Sequence, residues 1–266
     1  MKKIYTLIIS ICSIFSINAT DYLVSTNYTP GNVTEYQQRF FIPGVTLFSS
    51  ISEVLNQIQP GDNIFLSADT YSENITLDVD NISIFGHNSW KDVRSGKRDT
   101  SNESIITGAI TLNADGITLN GLKFSGAGRV VNTTASNGSP LKNITLKYNL
   151  VEASTLGSST AVFALGKIYS NTDAKADISQ LRYENITISH NDFDGSKSTN
   201  FCPFIVIGGG YGNITIHDNS FTDGGNSIEV GNSRGNIKIT NNKFQQVGKS
   251  LYNASAAANA RGGAFC

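Results

Sequence analysis

Cysteine is scarce in this chain of 266 residues: Cys12, Cys202 and Cys266 are the only three. Three cannot build a disulfide framework, and no pair has metal-ligand spacing, so at most one Cys202–Cys266 bridge remains once a leader is removed. Charge is scarce too. Charged residues are 15% of the chain and the formal net charge is −1, which excludes a global field for gripping nucleic acid. Helical periodicity is rare, and past Ile17 no apolar run is long enough to cross a bilayer. What the chain does have is 39% hydrophobic residues, enough for one sizeable core.

The amino terminus explains the one long apolar run. Met1-Lys2-Lys3, the stretch Ile4–Ile17 and Asn18-Ala19 read as a signal peptide over residues 1–19, with Thr20 as the mature terminus. Ile11 before Cys12 is too large for a lipobox, which argues against lipidation. The expectation is export, to the medium or the cell surface, with no membrane span after signal removal.

The body is organised by one phrase written four times: Asn143-Ile-Thr-Leu-Lys-Tyr-Asn-Leu-Val, Asn185-Ile-Thr-Ile-Ser-His-Asn-Asp-Phe, Asn213-Ile-Thr-Ile-His-Asp-Asn-Ser-Phe and Asn236-Ile-Lys-Ile-Thr-Asn-Asn-Lys-Phe. A looser copy begins at Gly116, so the starts 116, 143, 185, 213 and 236 are 27, 42, 28 and 23 residues apart. A period of this size marks a solenoid. Apolar residues alternate within each copy, as in a half-buried strand. With no periodic helix between copies, βαβ units are excluded, and equivalent strands must stack in parallel. Ile188, Ile216 and Ile239 should then lie in one column. The second Asn of each phrase (Asn149, Asn191, Asn219, Asn242) should turn the corner in left-handed backbone, and its amides could bond one another as a ladder. Val151, Phe193, Phe221 and Phe244 should form an inward stack with Phe124.

These motifs resemble the right-handed parallel β-helix of the pectin-lyase-like superfamily over residues 45–253. The fold class expected is therefore all-β, a single right-handed parallel β-helix of about eight coils with a short N-terminal capping α-helix. Residues 20–44 form an N-terminal segment with a strand at Tyr22-Leu-Val and turns at Pro30-Gly31 and Pro43-Gly44. Residues 45–60 hold the capping helix: Ser50 and Glu53 make a capping box, and Ile51, Val54, Leu55 and Ile58 one apolar stripe. The β-helix proper occupies 61–253 and a tail 254–266. That tail has no polar cap and leaves the last coil open, so the expectation is either that the chain is truncated there or that something else covers that end. Additional strands are expected at Ala161-Val-Phe-Ala-Leu, Phe204-Ile-Val-Ile and Ser227-Ile-Glu-Val, and surface loops at His87–Ser104, Asn132–Lys142, Gly166–Glu184 and Asp194–Asn200. The Asn-Ile-Thr triplets at Asn74, Asn143, Asn185 and Asn213 read as turn-then-strand rather than as glycan acceptors.

The repeat register also says which polar side chains meet. His190, Asp218 and Asn241 share one column with Tyr148, while Ser189, His217 and Thr240 fill the next; a carboxylate beside His190 would raise its pKa. Asp192 faces outward beside Ser220 and Lys243, with Asp194 and Asp223 at the following turns, a set able to hold calcium or do acid–base work, or simply to make turns. Glu229 and Arg234 resemble the acid and downstream cation of alginate-lyase-like and chondroitinase-B-like lyases, except that those enzymes carry lysine where this chain has Arg234, which is poorly suited to giving up a proton. Signatures of pectate lyases and polygalacturonases are absent. Trp90 with Lys91, Arg94 and Arg98 forms a loop suited to stacking on sugars and holding acidic groups. The function expected is non-catalytic polysaccharide binding, or an envelope or adhesin module. The alternative is a lyase or glycoside hydrolase using Asp192, Asp218, Glu229, Arg234 and His190, with Ca2+ as cofactor if a lyase and none otherwise.

Overall fold

The computed structural model describes residues 19–27, 30–40, 42–126, 128–132, 140–152, 161–165, 183–197, 203–208, 210–223, 227–231 and 234–245. The stretch up to Asn18 expected to be a signal peptide, Cys202, Cys266, the C-terminal tail and most of the longer insertions lie outside these residues.

Three all-parallel sheets carry the described chain. Sheet A runs from Thr46–Phe48 through Asp21–Val24, Asn63–Leu66, Ser83–Phe85, Thr118–Asn120, Leu141–Lys147, Tyr183–Ser189 and Gly210–His217 to Arg234–Thr240. Sheet B stacks Thr70–Tyr71, Ile105–Ile106, Lys123–Phe124, Leu150–Glu152, Asp192–Asp194, Ser220–Thr222 and Lys243–Gln245. Sheet C stacks Ile75–Leu77, Ala109–Leu112, Arg129–Asn132, Phe163–Leu165, Ile205–Gly208 and Ile228–Gly231. The chain visits A, B and C in turn, so each circuit adds one strand to each sheet: a parallel β-solenoid.

The register follows the repeat. Ile188 pairs with Ile216 and Ile216 with Ile239, while Thr187, Thr215 and Lys238 pair on the other face. Ile144, Ile186, Ile188, Ile214 and Ile216 are fully buried, whereas Ile237 on the last described strand of sheet A is 39% exposed. In sheet B the Phe193 and Phe221 rings stack at 4.7 Å, and Phe221 and Phe244 at 5.0 Å. Burying each such ring contributes roughly 1.5–3 kcal/mol before entropy is subtracted. The strands expected near 161, 204 and 227 are present and build sheet C.

The asparagine ladder is complete. Asn149 Nδ2 donates to Asn191 Oδ1 (3.0 Å), Asn191 Nδ2 to Asn219 Oδ1 (2.9 Å) and Asn219 Nδ2 to Asn242 Oδ1 (3.0 Å). The Oδ1 of Asn191, Asn219 and Asn242 also accepts the backbone N–H of the Asn one coil below, at 2.9 Å every time, and each of the four Nδ2 atoms also reaches a carbonyl of the preceding coil. Two bonds given and two accepted saturate Asn191 and Asn219, and Asn149 at the end of the ladder accepts the Leu122 N–H (3.0 Å), which is why these polar side chains can stand in a core.

Three expectations need correction. The residue in left-handed backbone is the one before each ladder Asn: Tyr148, His190, Asp218 and Asn241 have φ of 57, 56, 56 and 52°. One left-handed residue turns the chain from sheet A into sheet B, and the following Asn then points inward. Second, Pro30-Gly31 is not a turn but the start of helix α1 (Pro30–Phe40), proline at the first position having no N–H to lose. Phe40 packs with Leu23 and Phe65 on the outer face of sheet A. Third, His87–Ser104 is not simply a surface loop, because His87, Asn88, Ser89, Arg98, Glu103 and Ser104 are buried.

Helix α2 (Ile51–Leu55) forms where its stripe required, with Ile51 and Val54 in the main core. Ser50 Oγ accepts the Glu53 N–H (3.2 Å), but the Glu53 carboxylate returns to Ser49 N (3.0 Å) rather than to Ser50. Strand Asp21–Val24, at the place where Tyr22-Leu-Val is expected to form one, lies between Thr46–Phe48 and Asn63–Leu66.

Candidate functional site

The sheet A strands end in register at Asn120, Lys147, Ser189, His217 and Thr240. The next residue in each coil, Gly121, Tyr148, His190, Asp218 or Asn241, is left-handed, so its side chain leaves the corner toward solvent or toward whatever covers it. Glycine is required at the first of these: a Cβ on Gly121 would stand 2.2 Å from Ser89 N, where the loop 87–104 crosses.

Asp218 is the hub of this corner. Its Oδ2 meets His217 Nδ1 at 2.6 Å, and its Oδ1 accepts from Arg94 Nη2 at 3.2 Å and from Asn241 Nδ2. The His217 contact, with help from Arg94 and Asn241, lowers the carboxyl pKa to about 2. The rings continue up the column, Tyr148 to His190 at 5.0 Å and His190 to His217 at 5.5 Å. One ligand atom each from His190, His217 and Asp218 lies within 4.8 Å of the other two, the one such convergence of three His, Cys, Asp or Glu side chains among the described residues.

Loop 87–104 reaches over this corner because it is pinned underneath. Arg98 and Glu103 form a buried two-pronged ion pair, Nε–Oε1 and Nη2–Oε2 both at 2.7 Å. Arg98 also donates to the carbonyls of Tyr148 (2.6 Å) and Leu122 (3.1 Å). This removes Arg98 from the sugar-contact set: its donors are spent inside. Lys91 is half-buried, and that burial lowers its pKa. Trp90 is the opposite case. Its ring is 57% exposed, stacks on Phe85 at 5.0 Å, and sits on left-handed backbone at φ 60°. Its N–H is held by Asn120 Oδ1 (3.1 Å), which sets it at the head of the same corner column. An exposed Trp in so costly a conformation points to function.

The remaining candidates are dispersed. Asp192 and Asp194 alternate on one face of sheet B; Ser220 Oγ bonds Asp192 Oδ1 at 2.8 Å, and burial raises the Asp192 pKa. Asp194 accepts from Ser196 N in a turn (2.8 Å), and Asp223 occupies left-handed backbone after strand Ser220–Thr222. Glu229 lies on sheet C, and Arg234 opens a strand of sheet A with its side chain outside the described set. Asp192, Asp218, Glu229 and Arg234 are thus spread over all three faces. Sequence reasoning placed His217 one column away and overlooked it as the partner of Asp218; its adjacency in the chain was the available signal. No signal foretold that Arg94 reaches Asp218, since the path of a loop is not written in a period.

Fold and corner together define the class: an all-parallel β-solenoid with an aromatic, imidazole-rich polar corner roofed by one loop. No family model, curated protein or solved structure matches this chain. No helix among the described residues is long and apolar enough to cross a membrane.

Proposed function

We propose that this chain is an exported β-helix of the pectin-lyase-like kind, right-handed, of about eight coils and capped by α2, which binds an acidic polysaccharide at the cell surface or in the medium. The signal-like residues Met1–Ala19 support export, and the exposed Ile237 supports a further surface covering the last described coil. The observation that carries the reading is Trp90, held in left-handed backbone with its side chain 57% exposed, in the same loop as Arg94. From Asn120 to Thr240 the corner spans four strand spacings, roughly 19 Å, a length that matches several consecutive sugars. Trp90 stacks on a pyranose face, and Arg94 and Lys91 meet its carboxylate or sulfate. Retention on affinity gels of pectin, alginate and glycosaminoglycans tests this. Trp90→Ala weakens retention by about tenfold; an unchanged variant overturns the reading.

One observation favours a second reading, a lyase or glycoside hydrolase. Asp192 has a raised pKa from burial, as a general acid needs, with Asp194 on the same face. Calcium would sit on those carboxylates in the lyase case. New reducing or unsaturated ends, lost in Asp192→Asn, would establish it.

A further inference from the structure

We propose that His190, His217 and Asp218 form a binding site for a divalent transition-metal ion, with Zn2+ the best match. Two of the three histidines in the chain converge here with one carboxylate, each offering a ligand atom within 4.8 Å of the others. Two imidazoles and one carboxylate suit zinc, whereas calcium and magnesium require oxygen-rich sites. Zinc bonds of about 2.0–2.2 Å set ligand atoms about 3.4 Å apart in a tetrahedron, so closure asks only for small ring rotations. Left-handed backbone projects His190 and Asp218 away from the packed core, His217 ends its strand beside them, and all three are only half-buried.

The carboxylate is already dressed for the task. Arg94 and Asn241 both bond Oδ1, leaving Oδ2 for the ion, and outer hydrogen bonds of this kind orient ligating carboxylates. In the metal-free contact His217 Nδ1 lies 2.6 Å from Asp218 Oδ2; the ion takes the place of the hydrogen between them, and the neutral imidazole carries its one proton on Nε2. Zinc held by three protein ligands takes water as its fourth. Nothing in this depends on glycan binding.

The repeat supplies its own control variants. His190→Asn and Asp218→Asn copy Asn241, which holds the same left-handed position one or two coils on, and His217→Thr copies Thr240. Each therefore keeps the corner while removing one ligand. Zinc is titrated into the untagged full chain, with cysteines alkylated, against a chromophoric chelator. The expected result is saturable one-to-one binding with Kd below about 100 μM, weakened at least about tenfold in every variant. Thermal unfolding should rise with zinc in the parent alone. Absence of saturable binding in the parent, or equal affinity in the variants, overturns the site.

Discussion

At the scale of single residues, the ladder amides and His87 carry the sharpest tests. Asn191→Ala removes two donors and an acceptor from a fully buried position, and orphans the Asn149 N–H. It should cost about 3 kcal/mol in urea unfolding, whereas Asn185→Ala, on the exposed Asn143–Asn185 contact, should cost under about 1 kcal/mol. His87 is buried with neither ring nitrogen hydrogen-bonded, and its pKa is lowered to about 4. Burial is the main cause; Arg39, Lys91 and Arg98 add to it, and Asp99 at 4.0 Å opposes it. A base depressed by folding stabilises fully above its ordinary value near 6.5, and that contribution is lost as pH falls toward 4. The loss is about 2–3 kcal/mol, and His87→Phe should flatten the slope of unfolding free energy between those pH values. The ladder was legible, because a polar residue recurring at a core position must find its like. His87 was not, since its burial comes from a loop and a helix that meet only in three dimensions.

At the scale of elements, strands were easier to read than what packs on them. Every strand of the phrase could be placed from alternation, since both faces are fixed once one is buried. Helix α1 escaped because it has few apolar residues, and Tyr36 and Phe40 address the outside of sheet A rather than the main core. The corner was misplaced by one residue: Asn was credited with the left-handed backbone that Tyr148, His190 and Asp218 adopt. Loop 87–104 depends on the Arg98–Glu103 pair. Arg98→Met leaves Glu103 buried and unpaired and should cost about 3–5 kcal/mol, while adding Glu103→Leu should recover much of it. Both are measurable by chemical denaturation, with Trp90 fluorescence reporting on the loop.

At the scale of the whole molecule, stability should be shared among neighbours, as in other solenoids, and Phe193→Ala in the middle of the ring stack should cost about 3–5 kcal/mol. The candidate site was half legible here: columns named the right corner, while the roof over it came from elsewhere in the chain. That roof has a consequence for how the molecule comes apart. Side chains rooted between strands Ser83–Phe85 and Ile105–Ile106 clasp Leu122, Tyr148 and, through Arg94, Asp218. A spiral tied across its own turns cannot unzip link by link beneath the clasp. Deuterium should therefore enter the amides of strands Thr118–Asn120 and Leu141–Lys147 together and late, and those of Arg234–Thr240 early and alone.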